Sequence, residues 1–280
     1  IKKKERCLPE LGKAEKMIEI LSFDFAQNAI IASLLLSVCV GIIGTLVVIN
    51  KMSFVASGIA HGAYGGVGIA FFAGFSPNLG ALGFGLILSI LIAYFSFNER
   101  GRFDSVIGAI WAFGMAVGVI FADLSDKMNV DLMSYLFGSI LAVPKSDLYI
   151  IAGLDVLILC FVGLFYRTIC AASFDSEFAL LRGVSTRALY YAQSVFMGLC
   201  VVVSIRLVGL VMVIALLTIT PYIAEKFSKN LALMMALSTA FSALFCLGGL
   251  GLAFYFDLTS GASIILLASL TFFLMKILKD

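Results

Sequence analysis

MSFVASGIAHGAYGGVGIAFFAGFSPNLGALGFGLILSILIAYFSFN occupies Met52 to Asn98, 47 residues without a single Lys, Arg, Asp or Glu. A helix crosses the hydrocarbon core with about 20 apolar residues. The run is therefore too long for one crossing and predicts two, parted at Ser76-Pro77-Asn78. On either side, further uncharged runs cover Phe25 to Asn50, Ser105 to Ala122, Ala188 to Ile205, Leu207 to Ala224, Asn230 to Phe256 and Leu258 to Met275. Leu148 to Tyr166 is interrupted only by Asp155. The remaining breaks fall near Asn50-Lys51, Asn98 to Asp104, Asp123 to Asp147, Arg167 to Arg187, Arg206, Glu225 to Lys229 and Asp257 to Ser260. The chain has 280 residues, 62% hydrophobic and 13% charged, with a mean hydropathy of +1.11, which excludes a soluble protein. The fold class that follows is all-α, a polytopic membrane helical bundle of eight or nine transmembrane helices. Runs this long exclude an outer-membrane barrel, whose strands alternate over about ten residues.

Lys and Arg are retained on the cytoplasmic side of a membrane protein, so their distribution sets the orientation. If Arg182 and Arg187 lie inside, alternation of nine spans places Lys51, Arg100, Arg102, Arg167, Lys226, Lys229, Lys276 and Lys279 inside with them. Only Lys127, Lys145 and Arg206 fall outside, which puts the C-terminus in the cytoplasm. Residues 1–16 break the pattern with six basic residues on the side expected to be poor in them. They read as an upstream extension, an expression remnant or a misassigned start, ahead of a single transmembrane domain over residues 17–280. Without them 13 basic and 14 acidic residues remain, so the net charge carries no signal for nucleic acid. Six cysteines without a Cys-x-x-Cys spacing read as small buried hydrophobes.

No Gly-x-x-x-x-Gly-Lys-Ser/Thr loop is present to cradle a nucleotide, and no His-Glu-x-x-His helix or Ser/His/Asp set is present for hydrolysis. The one histidine, His61, falls about ten residues into its span, near mid-bilayer at 1.5 Å per residue. Ser57, His61 and Gly65 share one helical stripe, and Gly58, Gly62, Gly66, Ala70 and Gly74 form a second beside it. The second stripe lets another helix approach closely. His61 then has two readings: a structural hydrogen bond to a neighbouring helix, or a ligand on a translocation path. Neutral imidazole suits zinc, iron and nickel and tolerates manganese, whereas an alkali cation prefers oxygen.

Met52 to Gly66, MSFVASGIAHGAYGG, resembles the signature helix of the membrane subunits of ABC importers for zinc, manganese and iron. Asp131 to Val143 (DLMSYLFGSILAV), Phe174 to Ala179 (FDSEFA) with Gly183, Arg206 to Gly209 running on to Pro221, and Asp257 to Ala262 (DLTSGA) match in the same order. The resemblance covers roughly residues 20 to 275. It implies a type II ABC importer permease-like bundle in a prokaryotic cytoplasmic (inner) membrane, with the path at a dimer interface. It also implies an ATP-binding cassette ATPase, an extracytoplasmic metal-binding protein and a second permease chain, the same or different. ATP is then consumed by the ATPase, and no cofactor is bound by this chain.

Many members have an aspartate where this chain has Ser57 and a proline where it has Gly65. The metal-path candidates are therefore His61, Ser57 and, as a substitute acid, Asp155, whose alternative is a structural buried carboxylate. Asp175, Glu177, Phe178, Ala179 and Gly183 resemble the family's coupling segment, with Phe178 and Leu180 or Leu181 as apolar anchors in an ATPase groove. Asp131 to Val143 reads as a re-entrant or interfacial helix, near an acidic edge of Asp123 and Asp126. The leading function is a permease subunit importing a divalent transition metal. The alternatives are a permease for a metal chelate (siderophore or cobalamin), an ion-coupled secondary cation transporter, or a membrane scaffold.

Overall fold

The computed structural model describes residues 23–98, 103–125, 138 and 140–279. Residues 1–16, Arg100, Arg102, Asp126, Lys127 and most of the Asp131 to Val143 segment lie outside the described residues. The helices are α1 (Asp24–Ile49), α2 (Ser53–Gly62), α3 (Tyr64–Ala73), α4 (Pro77–Asn98), α5 (Phe103–Asp123), α6 (Lys145–Phe174), α7 (Ser176–Leu181), α8 (Thr186–Val208), α9 (Leu210–Glu225), α10 (Leu231–Phe256) and α11 (Ser260–Lys279). Among the described residues eight helical segments are long and apolar enough to cross a membrane, α2 and α3 counting together, and α9 is a shorter apolar helix of 16 residues.

Three boundaries differ from those expected. The helix that holds His61 is broken at Ala63, which closes α2 and opens α3. Helix α6 does not stop at Arg167 but runs to Phe174; Arg167 sits on its exposed face, so the charge requires no break. Helix α8 likewise continues through Arg206, because the guanidinium Nη2 meets Asp147 Oδ1 at 2.7 Å. The chain turns instead at Gly209, whose φ of +83° and ψ of 162° favour a residue without a side chain.

Helix α1 is the axis of the bundle and packs on α6, α8, α9 and α10. Of its most apolar stretch 72% is buried, against 17% for α11, so α1 is surrounded by protein while α11 leaves its apolar side for lipid. Its core hydroxyls bond back to their own helix: Ser33 to the Ala29 carbonyl, Ser37 to that of Ser33 and Thr45 to that of Gly41. Without water these groups need such partners. A Cβ on Gly41 would strike the Thr239 backbone, and one on Gly44 would press on the Leu217 carbonyl. That carbonyl has no i+4 donor because residue 221 is proline. Thr220 and Ser238 share a hydroxyl contact of 3.1 Å that joins α9 to α10, worth about 0.6 kcal/mol in a membrane bundle.

Asp24, Asn78, Lys145, Asp147 and Arg206 gather at one end, where Lys145 Nζ also lies 4.0 Å from Asp24 and a cavity of about 240 Å³ opens beside Asp147 and Arg206. Asn50, Ser96, Ser173, Ser185 and Gln193 gather around a second cavity of about 410 Å³ formed by the opposite helix ends. This grouping is the one that alternating spans require. Of the expected re-entrant segment, Gly138 lies against Gly209 and Ile140–Ala142 forms one 3-10 turn packed on α1 and α11.

Candidate functional site

The glycine stripe does what its spacing demands. A Cβ on Gly114 of α5 would strike the Gly62 backbone, and one on Gly66 would strike Gly80 of α4; beside the stripe, Gly68 meets the Gly118 backbone of α5 in the same way. Gly74 departs from the stripe: it caps α3 with open space around it. Clamped between α4 and α5, helix α2 presents His61 half-buried, one turn after a half-buried Ser57.

The His61 ring stacks on Trp111 of α5, with centroids 4.3 Å apart and 22° between planes. Trp111 is held in turn by its own N–H, which donates to Met115 Sδ at 2.9 Å. The stack fixes the imidazole plane without using its nitrogens, and Nδ1 is buried with no hydrogen-bond partner. An orphaned polar nitrogen in a bundle core is costly, and it is a group with spare capacity to bind. Composition marked Trp111 only as the single tryptophan; its contact with His61 depends on how α5 packs across α2, which linear spacing does not contain.

Asp155 sits elsewhere. It is 5% exposed on α6, whose packing partners are α1, α7 and α8. It faces Cys39, which lies 2.9 Å from Cys200, sulfur to sulfur, and neither carboxylate oxygen has a partner. His61 and Asp155 thus belong to different packing environments. Among the described residues no three of His, Cys, Asp and Glu converge as a metal-holding group.

The third set forms one structural unit. Asp175 caps α7 by accepting the Phe178 N–H at 2.9 Å. The helix ends at Gly183, φ +79°, where the Gly183 N–H bonds to the Leu180 carbonyl and the Val184 N–H to that of Ala179, a Schellman stop. Ala179 is fully buried and roots the turn against the bundle. Glu177, Phe178, Leu180 and Leu181 face outward, Leu181 at 88% exposure, and the Arg182 guanidinium lies 4.9 Å over the Phe178 ring. A capped single turn with an apolar crest at a helix-bundle end is a docking shape.

The sequence resembles known membrane proteins along nearly its whole length. An uncharacterized membrane protein of Synechocystis sp. is 42% identical over 258 residues, 92% of each chain. The manganese transport system membrane protein MntC of Halalkalibacterium halodurans is 31% identical, covering 91% of this chain and 87% of that one. The solved structure of PsaBC from Streptococcus pneumoniae in complex with Fab superposes with a TM-score of 0.82 at 30% identity, covering 94% of both chains. The sequence model of the ABC 3 transport family matches residues 22–279, and the chain, a helical membrane protein of the same architecture, belongs to that family.

Proposed function

We propose that this chain is the permease subunit of a prokaryotic ABC importer that moves a divalent transition metal, manganese in preference to zinc or iron, across the cytoplasmic membrane. The observation that carries this reading is His61, its ring stacked on Trp111 within the bundle with Nδ1 unpartnered. The manganese names of two family relatives support manganese as the ion. Ser57 adds a neutral oxygen one turn away, and the pair makes a weak site that a passing ion can both enter and leave. Mn²⁺, harder than zinc, accepts such a mixed nitrogen and oxygen set.

The chain makes and breaks no bonds. A separate ATPase supplies the work by docking on α7, where Phe178, Leu180 and Leu181 form the apolar anchor and Glu177 the charged rim. A second permease chain completes the path, and an external metal-binding protein delivers the ion at the Asp147–Arg206 end. The test is ATP hydrolysis by the reconstituted permease and ATPase. Manganese-loaded binding protein should stimulate it several-fold, and the metal-free binding protein should not. Stimulation that is indifferent to metal loading would remove the proposed function.

A further inference from the structure

The cavity of about 410 Å³ behind α7 is unlike a metal vestibule. Among the described residues no carboxylate, thiol or imidazole lines it, and the one charged side chain among them is the Arg187 guanidinium. It is rich in donors. The first two turns of α8, a 23-residue helix, form one wall, with Ser185 and Thr186 at the helix start, so the positive end of a long helix stands at the cavity. Deeper in the same wall Gln193 is only 6% exposed; its Oε1 receives the Asn50 amide at 3.5 Å, while its Nε2 is buried with no partner. Across the cavity the Ser173 hydroxyl is buried and also unpartnered. Two orphaned polar groups, a guanidinium and a helix N-terminus around one space ask for an oxyanion.

We propose that this cavity binds a phosphate group, with Gln193 Nε2 and Ser173 Oγ as the inner donors and Arg187 at the rim. The phosphate comes either from the headgroup of an anionic phospholipid, whose glycerol can lie against Ala172 and Leu189, or from free phosphate. This inference is independent of which ion the permease carries. The site lies between α7 and the bundle, so its occupancy braces the segment that meets the ATPase.

The experiment uses the full-length chain, delipidated in detergent and titrated separately with phosphatidylglycerol, with diacylglycerol and with inorganic phosphate. Bound adducts are counted by native mass spectrometry and melting temperature is followed in parallel. Gln193→Glu keeps the side-chain shape but sets a negative charge against the phosphate, and Ser173→Ala removes the second donor without disturbing α8. Phosphatidylglycerol binding that is absent with diacylglycerol and about tenfold weaker in either variant assigns the lipid as source. A melting temperature raised by inorganic phosphate in the native chain, and unchanged by it in either variant, assigns the free anion. If Gln193→Glu does not fold, Ser173→Ala carries the comparison alone. Binding equal in the native chain and the variants, or binding of neither probe, would overturn the site.

Discussion

A carboxylate one turn before His61 would close a divalent ion between charge and imidazole; Ser57 offers a hydroxyl there instead. In the proposed path this substitution tunes the site toward release. Ser57→Asp is expected to raise manganese retention by the assembled transporter and slow its turnover, as measured by filter retention and uptake in the same vesicles. His61→Ala should lower uptake at limiting manganese by about tenfold or more, the usual cost of losing one ligand, whereas Asp155→Asn should change it by about threefold at most. Equal losses in the two variants would place Asp155 on the path despite its separate packing against α1 and α8. His61 and the glycine stripe were legible from the sequence because both depend on i, i+4 spacing alone. The Trp111 stack and the Cys39–Cys200 contact were not, since each joins helices far apart in the chain.

Helix ends show the same division. Uncharged runs located the spans to within a few residues, yet Arg167 and Arg206 misplaced two ends. A charge terminates a membrane helix only when nothing receives it, and Arg206 has Asp147 while Arg167 is exposed. Arg206→Met would leave the buried Asp147 carboxylate unpaired and should cost about 2 kcal/mol or more, seen as a lower melting temperature of the solubilised permease. At α7, Phe178→Asp puts a charge into the proposed ATPase groove. We expect the variant complex to assemble weakly and to lose stimulation of ATP hydrolysis by loaded binding protein. Normal stimulation would return α7 to an ordinary surface turn. Gly183→Ala, by straining the left-handed stop by about 1 kcal/mol, should give the same defect in milder form.

For the whole molecule, import requires a defined sidedness and a path for metal. The two clusters of helix ends, Asp147 with Arg206 at one and Asn50 with Gln193 at the other, require opposite sides of the membrane. On a background without native cysteines, an impermeant thiol reagent added outside should label Lys145→Cys and spare Ser228→Cys; the reverse would place α7 outside and break the coupling assignment. The proposed transport has one direct reading. Proteoliposomes holding the permease, its ATPase inside and the metal-binding protein outside should accumulate radiomanganese when ATP is enclosed, and the His61→Ala permease, assembled to the same extent, should not. Accumulation by His61→Ala at the native rate under limiting manganese would mean that His61 takes no part in moving the metal.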